Sequence, residues 1–231
     1  MSCFSISDPK ILFIHIPKNG GTSLQTAFKE VFKKKYHHKQ IRNLGVKRRY
    51  SMNAHQSGIL TMKEIPLRYW NEYYRFSIVR NPWDRLVSIW RFIMIDDRVF
   101  KDAYGLKNNI SAFEKMFNDE NKKTFKEWVL SYDHPCFFKG ADLKCNRRPI
   151  TKVQQSDWII KDGKSIVDKT FRLENLDKLV SEFRKRFGAD LKIPRMNTTK
   201  RGSYHEYYDS ELADIVAEWY KDDIRIWGYE F

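Results

Sequence analysis

Apolar residues along this chain gather into short runs separated by turn-forming and polar stretches. Ile11 to Ile16 is a continuous, β-branched run of the kind that forms a buried strand. Pro17 ends it, and Gly20-Gly21 provide a flexible turn. Thr22 or Ser23 can then cap a helix that carries Leu24, Ala27, Phe28 and Val31 at helical spacing. Arg75 to Val79 reads as a second buried strand, broken at Arg80-Asn81-Pro82. Pro82 suits the first turn of a helix, and Leu86, Val87, Ile89, Trp90 and Ile93 follow with helical period.

Further along, the apolar spacing between Tyr104 and Tyr132 predicts one or two helices. Phe113, Met116 and Phe117 form one cluster there, and Phe125, Trp128 and Val129 another. His134 to Pro149 is irregular and polar, the composition of a loop. Ile166 to Leu173 reads as a third strand, and a helix follows from about Leu176 to Phe187. Lys192 to Tyr204 reads as a loop, and Asp209 to Lys221 as a final helix. No internal repeat, low-complexity tract or linker interrupts the chain. The expectation is one α/β domain over residues 1–231, with a central, mainly parallel sheet covered by helices on both faces. Ligands of such sheets bind at the carboxyl ends of the strands, where both turns would lie.

At 231 residues, with 42% hydrophobic and 15% aromatic content, the chain can bury a substantial core and is not of disordered type. A large aromatic core accounts for so many rings, with a sugar- or base-stacking surface as the alternative. The formal charge of +14 concentrates anions of any kind, from nucleic acid and acidic glycans to a phosphorylated cofactor. The clusters Lys33-Lys34-Lys35 and Lys47-Arg48-Arg49 serve equally as solvated loop or helix ends. Cys3, Cys136 and Cys145 make no disulfide framework or zinc motif, and free thiols are expected, although Cys136 and Cys145 could bridge locally. No apolar run reaches the roughly 20 residues needed to span a bilayer. Met1 to Lys10 is too short and polar for a secretory signal, so a soluble, cytoplasmic protein is expected.

The two turns carry the chemistry. A loop that opens a helix presents unpaired N–H groups and the positive end of the helix dipole to an anion. Gly20 and Gly21 allow close backbone approach, Thr22 and Ser23 add hydroxyls, and Lys18 adds a full charge. This is not a Walker A loop, because the lysine precedes the glycines. An ordinary Gly-rich turn is the bland alternative. At the second turn, Arg80 and Ser88 could jointly hold a second phosphate, Arg through its fork of donors. Alternatively Arg80 pairs with Asp84 and Ser88 is a surface residue. Two anion sites together point to a ligand with separated phosphates.

Ile14-His15-Ile16-Pro17-Lys18-Asn19-Gly20-Gly21-Thr22-Ser23 resembles the 5′-phosphosulfate loop of carbohydrate-type sulfotransferases, and Arg80-Asn81-Pro82-Trp83-Asp84-Arg85-Leu86-Val87-Ser88 resembles their 3′-phosphate motif. Gln155-Ser156-Asp157-Trp158-Ile159, Phe171 to Leu176 and Tyr207 to Phe231 extend the likeness over nearly the whole chain. The resemblance is to the Golgi-type, heparan 2-O-like group, in a bacterial-like soluble form. It implies a P-loop-like sulfotransferase fold and 3′-phosphoadenosine 5′-phosphosulfate (PAPS) as donor, with no metal required. Lys18, Asn19, Gly20, Gly21, Thr22 and Ser23 would then hold the 5′ end, with Lys18 also acting on the leaving oxygen. Arg80 and Ser88, with Lys200, Arg201, Gly202 and Tyr204, would hold the 3′-phosphate.

The resemblance also implies a base for the acceptor hydroxyl, a task that suits histidine. His55, in Asn53-Ala54-His55-Gln56-Ser57-Gly58, stands where related glycan sulfotransferases carry their base, although Ala54 departs from their Gly-His pattern. His134 and Glu64 are the reserve bases. His15 reads as a core residue, His37 and His38 as exposed, and His205 as solvent-facing or donor-positioning. The expected acceptor is a glycan, a glycolipid or another hydroxyl compound, anionic in keeping with the basic chain, and the Asp96 to Arg148 region would build much of its pocket. The competing readings are a small-molecule or nucleotide kinase, which lacks its Walker lysine here, and a basic nucleic-acid-binding module, which leaves the two anion turns unexplained. A binding protein that has lost catalysis is a further one.

Overall fold

A computed structural model describes residues 4–38, 40–41, 50–51, 62–63, 65–94, 124–131, 153–194 and 202–231. The chain divides into two compact units. Among the described residues, the first holds everything up to Arg80 together with 155–194. The second holds 81–131, Val153, Gln154 and 202–231.

The first unit is built on a five-stranded sheet in the order β3-β1-β2-β6-β9. Its strands are β1 (Phe4–Ser7), β2 (Lys10–Ile14), β3 (Tyr36–His38), β6 (Tyr74–Val79) and β9 (Lys169–Arg172). The strands β2, β6 and β9 run parallel, with Phe13 beside Phe76 and Val79 beside Arg172. At the β2 edge, β1 and β3 are added antiparallel. Two short ladders complete the strands: β4 (Gln40–Ile41) with β5 (Tyr50–Ser51), and β7 (Ile160–Lys161) with β8 (Lys164–Ser165). The α/β architecture with a parallel centre flanked by helices is therefore present, and the antiparallel edge adds to it.

Helix α1 (Gly21–Phe32) follows β2, as expected, and α2 (Leu67–Glu72) precedes β6. Helix α5 (Ser156–Ile159) is a single turn, and α6 (Asp177–Phe187) follows β9. Helices α1 and α6 lay Leu24, Phe28, Leu179 and Phe183 on Phe4, Phe13, Phe76 and Phe171 of the sheet. Phe183 meets Phe28 and Phe76 edge-on, with ring centroids 5.1 and 5.0 Å apart. This geometry sets the positive ring edge against the negative face, so much of the aromatic content is core.

The second unit is helical among its described residues. Its helices are α3 (Pro82–Met94), α4 (Phe125–Leu130), α7 (Ser210–Trp219) and α8 (Lys221–Trp227). The helix expected from Asp209 to Lys221 is in fact two. Tyr220 leaves helical geometry (φ −117°, ψ 24°) where its fully buried ring lies under the Arg85 guanidinium, and α8 continues the chain. The third strand is shorter than the apolar run from Ile166 suggests: the Ile166 N–H donates to the Ile159 carbonyl at 2.9 Å, next to the β7–β8 hairpin, and pairing with β6 begins at Lys169. The cluster of Phe113, Met116 and Phe117, the His134 to Pro149 loop and all three cysteines lie outside the described residues. Among the described residues no helix is long and apolar enough to cross a membrane.

The start of the β6–β9 pairing is pinned by a two-way contact. The Asp168 carboxylate accepts from the Arg75 main-chain N–H at 2.7 Å and from its Nε at 2.9 Å, while the Asp168 N–H donates to the Arg75 carbonyl at 2.8 Å. Burial opposes the charged carboxylate, but the hydrogen bonds from Arg75 outweigh it and hold Asp168 below the ordinary aspartate value of 3.8. A carboxyl depressed in the folded state stabilises the fold above its unfolded value and loses that contribution as pH falls through the folded one. Asp168→Asn is therefore expected to unfold at lower urea concentration than the parent at pH 7. The gap should narrow as pH drops below 3.8. Paired urea titrations from pH 7 to pH 3 test this, and a pH-independent gap would refute it.

Candidate functional site

The loop between β2 and α1 has a demanding backbone. Lys18 and Gly20 both adopt left-handed conformations, with φ of 70° and 74°. For a lysine this costs on the order of 1 kcal/mol and persists only where surrounding contacts over-determine it. A Cβ on Gly20 would stand 2.6 Å from Leu173 Cδ1, just beyond β9. A Cβ on Gly21 would stand 2.2 Å from Nε2 of His15. Any larger residue at either position would displace a packed side chain, and at Gly20 the positive φ also calls for glycine.

Helix α1 starts at Gly21 with no acidic residue in its first turn, and the Leu24 N–H closes that turn on the Gly20 carbonyl at 3.2 Å. The remaining early N–H groups and the dipole favour an anion there. Lys18 and Thr22 are half-buried at this end, and Ser23 is buried. Asn19 is fully buried and faces inward. Its Nδ2 donates to the Ile78 carbonyl and to Gln155 Oε1, each at 2.7 Å.

Arg80 is the last residue of the first unit. Its Nη1 donates to the Lys18 carbonyl at 3.1 Å, which joins the end of β6 to the loop after β2. Its N–H and carbonyl are both bound by the Gln155 side chain, at 2.9 and 2.8 Å. Sequence reasoning noted the segment around Gln155 but gave this residue no role. Its partners are 75 and 136 positions away, and no local pattern marks such a pairing. Leu173 and His15 were likewise not recognised as contacts of the loop. His15 is buried and stacks on Phe13 at 5.7 Å, as a core residue should.

In the second unit, Asn81 caps α3: its Oδ1 accepts from the N–H groups of Trp83 and Asp84 at 3.0 and 3.4 Å. Its Nδ2 donates to the Tyr204 hydroxyl at 3.3 Å and to the Glu230 carbonyl at 3.0 Å. Tyr204 is thus brought to the start of the helix that carries Ser88, which is half-buried. Gly202 lies beside the Glu206 carboxylate, which also caps the Ser203 N–H. His205 is exposed, with Nδ1 2.7 Å from Ser203 Oγ, and stacks on Tyr204 with centroids 4.0 Å apart. Arg85, fully buried, donates to the Val153 carbonyl at 3.2 Å and so has a structural position.

Within the first unit the structure therefore assembles Lys18, Asn19, Gly20, Gly21, Thr22, Ser23 and Arg80. Within the second it assembles Tyr204 with the cap of the Ser88 helix. His55, Lys200 and Arg201 lie outside the described residues, as do the reserve bases His134 and Glu64. Among the described residues no group of three or more His, Cys, Asp and Glu side chains could hold a metal ion.

Comparison with known families brings these features together. No match was found among curated proteins. A family model described as "Sulfotransferase family" matches residues 3–230, a span that takes in the loop after β2, the turn after β6 and the C-terminal helices. The chain belongs to the sulfotransferase family.

Proposed function

We propose that this sulfotransferase transfers the sulfuryl group of PAPS to an acceptor hydroxyl on a carbohydrate or glycolipid, and that residues 1–231 work as one catalytic domain. The observation that carries the donor assignment is the loop after β2. It is a glycine-lined helix N-terminus without acidic residues, hydrogen-bonded through Lys18 to Arg80. A donor phosphorylated at both ends of its ribose gives both residues anionic partners. The carbohydrate class rests on the resemblance of the two motifs and on the charge of +14, which favours an anionic sugar.

The bound donor supplies an activated sulfur–oxygen bond. In this reading the N–H groups at Gly20 and Gly21, with the hydroxyls of Thr22 and Ser23, hold the 5′-phosphate. Lys18 stabilises charge growing on the oxygen that bridges sulfur and phosphorus. Arg80 and Ser88, with Lys200, Arg201, Gly202 and Tyr204, grip the 3′-phosphate. The buried Asn19 side chain supports the loop from within, leaving its main chain to face the donor. His55 takes the proton of the acceptor hydroxyl as its oxygen bonds to sulfur in line with the breaking bond. Transfer then leaves 3′-phosphoadenosine 5′-phosphate, and no metal takes part.

Isothermal titration tests the donor assignment. Binding of 3′-phosphoadenosine 5′-phosphate should exceed that of ATP or AMP by at least about tenfold, since only this ligand places charge at both sites. Preference for ATP, or indifference to the 3′-phosphate, would overturn it.

Turnover tests the roles. Lys18→Ala should lower kcat by about 10²- to 10³-fold, the scale of losing a charge-stabilising donor. His55→Ala should lower kcat by about 10²- to 10⁴-fold while leaving affinity for 3′-phosphoadenosine 5′-phosphate unchanged. Radiolabelled sulfate transfer onto a panel of glycans and glycolipids supplies the assay and identifies the acceptor. Full activity of either variant would remove that residue from the mechanism.

A further inference from the structure

The Gln155 side chain is fully buried in the first unit, and its bonds have a particular pattern. Its Oε1 accepts from the Arg80 N–H at 2.9 Å and from Asn19 Nδ2 at 2.7 Å. Its Nε2 donates to the Arg80 carbonyl at 2.8 Å. One carboxamide thus binds both main-chain polar groups of Arg80, as a neighbouring strand would. It does so immediately after the last β6–β9 pair, Val79 with Arg172. From there the network closes on itself. Asn19 also holds the Ile78 carbonyl, and the Arg80 guanidinium returns to the Lys18 carbonyl.

Few side chains can do this. A carboxamide presents an acceptor with two lone pairs and a donor on the same planar group. Leucine fills a similar volume but would leave the Arg80 main chain and the Asn19 amide without these partners. A glutamate anion accepts but cannot donate, and it would set a buried charge against the Arg80 carbonyl. Neither leucine nor ionised glutamate keeps Arg80 in this register with the loop.

We propose that Gln155 is a positioning residue for the donor. It fixes Arg80 relative to the Lys18–Ser23 loop, so that the two anion-binding motifs are spaced for one nucleotide carrying 5′ and 3′ charges. The inference rests on the donor assignment above. Gln155 touches neither phosphate; it acts through Arg80.

The test is a double-mutant cycle in the full chain, read by titration with 3′-phosphoadenosine 5′-phosphate and with AMP. Gln155→Leu should weaken binding of the bisphosphate by about 10- to 100-fold and of AMP by less than about threefold, because AMP engages the loop alone and the loop keeps the Asn19 bond to the Ile78 carbonyl. In an Arg80→Ala background the same change should cost less than about threefold, since the residue it positions is gone. Losses that add across the cycle, or fall equally on both nucleotides, would mean a merely structural role and overturn the proposal.

Gln155→Glu provides a second readout and serves where the leucine variant does not fold. A protonated carboxyl keeps both a donor and an acceptor, whereas the ionised form loses the donor. Its bisphosphate affinity relative to the parent should therefore be near normal at pH 5 and fall as pH rises to 8. A flat ratio, whether normal or depressed, would overturn the proposal. If the parent protein itself fails to bind the bisphosphate, the donor assignment falls and takes this inference with it. If the parent binds and the Gln155 variants bind equally well, the inference alone falls.

Discussion

Parallel pairing of Lys10–Ile14 with Tyr74–Val79 is the constraint from which the first unit's chemistry follows. With Phe13 beside Phe76 and Ile14 beside Ser77, both strands end at the same edge, and the loops that follow them leave side by side. Ser77 Oγ donates to the Ile14 carbonyl at 2.8 Å, and Asn19 donates to the Ile78 carbonyl, so the pairing continues through side chains where the ladder stops. A slip of one residue would turn Phe76 to the face opposite Phe13 and break these bonds together. The aromatic packing and the edge proposed to bind the donor thus share one register.

Charged and neutral contacts divide β6 along its length. The amino ends of β6 and β9 are tied by the Arg75–Asp168 contact, which is charged and partly exposed. The carboxyl end of β6 is tied to the loop after β2 by buried neutral amides, Asn19 and Gln155. Neutral amides suit that end on electrostatic grounds. A carboxylate there would compete with the proposed donor's phosphates for the Lys18 and Arg80 charges, whereas a carboxamide satisfies the end of β6 without adding charge. The lysine in a left-handed conformation belongs to the same economy, since Gly20 packed on Leu173 and Lys18 bonded by Arg80 hold the turn between them.

The second unit applies the same device at the start of its own helix. Asn81 uses its carbonyl oxygen to cap α3 and its amide to hold Tyr204 and the chain end at Glu230. Gln154 binds the first turn of α8 through the N–H groups of Asp222 and Asp223 at 2.8 and 3.3 Å. Side-chain amides thus recur at these ends, while Thr124 and Asp209 cap α4 and α7. Each amide can both donate and accept, and so completes a terminus that regular hydrogen bonding leaves open.

What the sequence by itself determined is local. The strands at Ile11 and Arg75, the glycine turn and the helix beginning at Pro82 were legible because burial and turn chemistry act over a few neighbouring residues. The lysine before the glycines, against the Walker order, was equally legible, and the family match agrees with the reading it prompted. Phe4–Ser7 is not legible in this way because four residues are too short for periodicity to register, although Phe4 and Ile6 are fully buried. The break at Tyr220 falls inside a continuous helical pattern, and its ring meets Arg85, 135 positions away. Only the tertiary structure decided that Gln155 binds the Arg80 main chain, that Leu173 closes over Gly20 and that His15 abuts Gly21. Those contacts join residues that the chain separates and the sheet register brings together, so no local sequence pattern carries them.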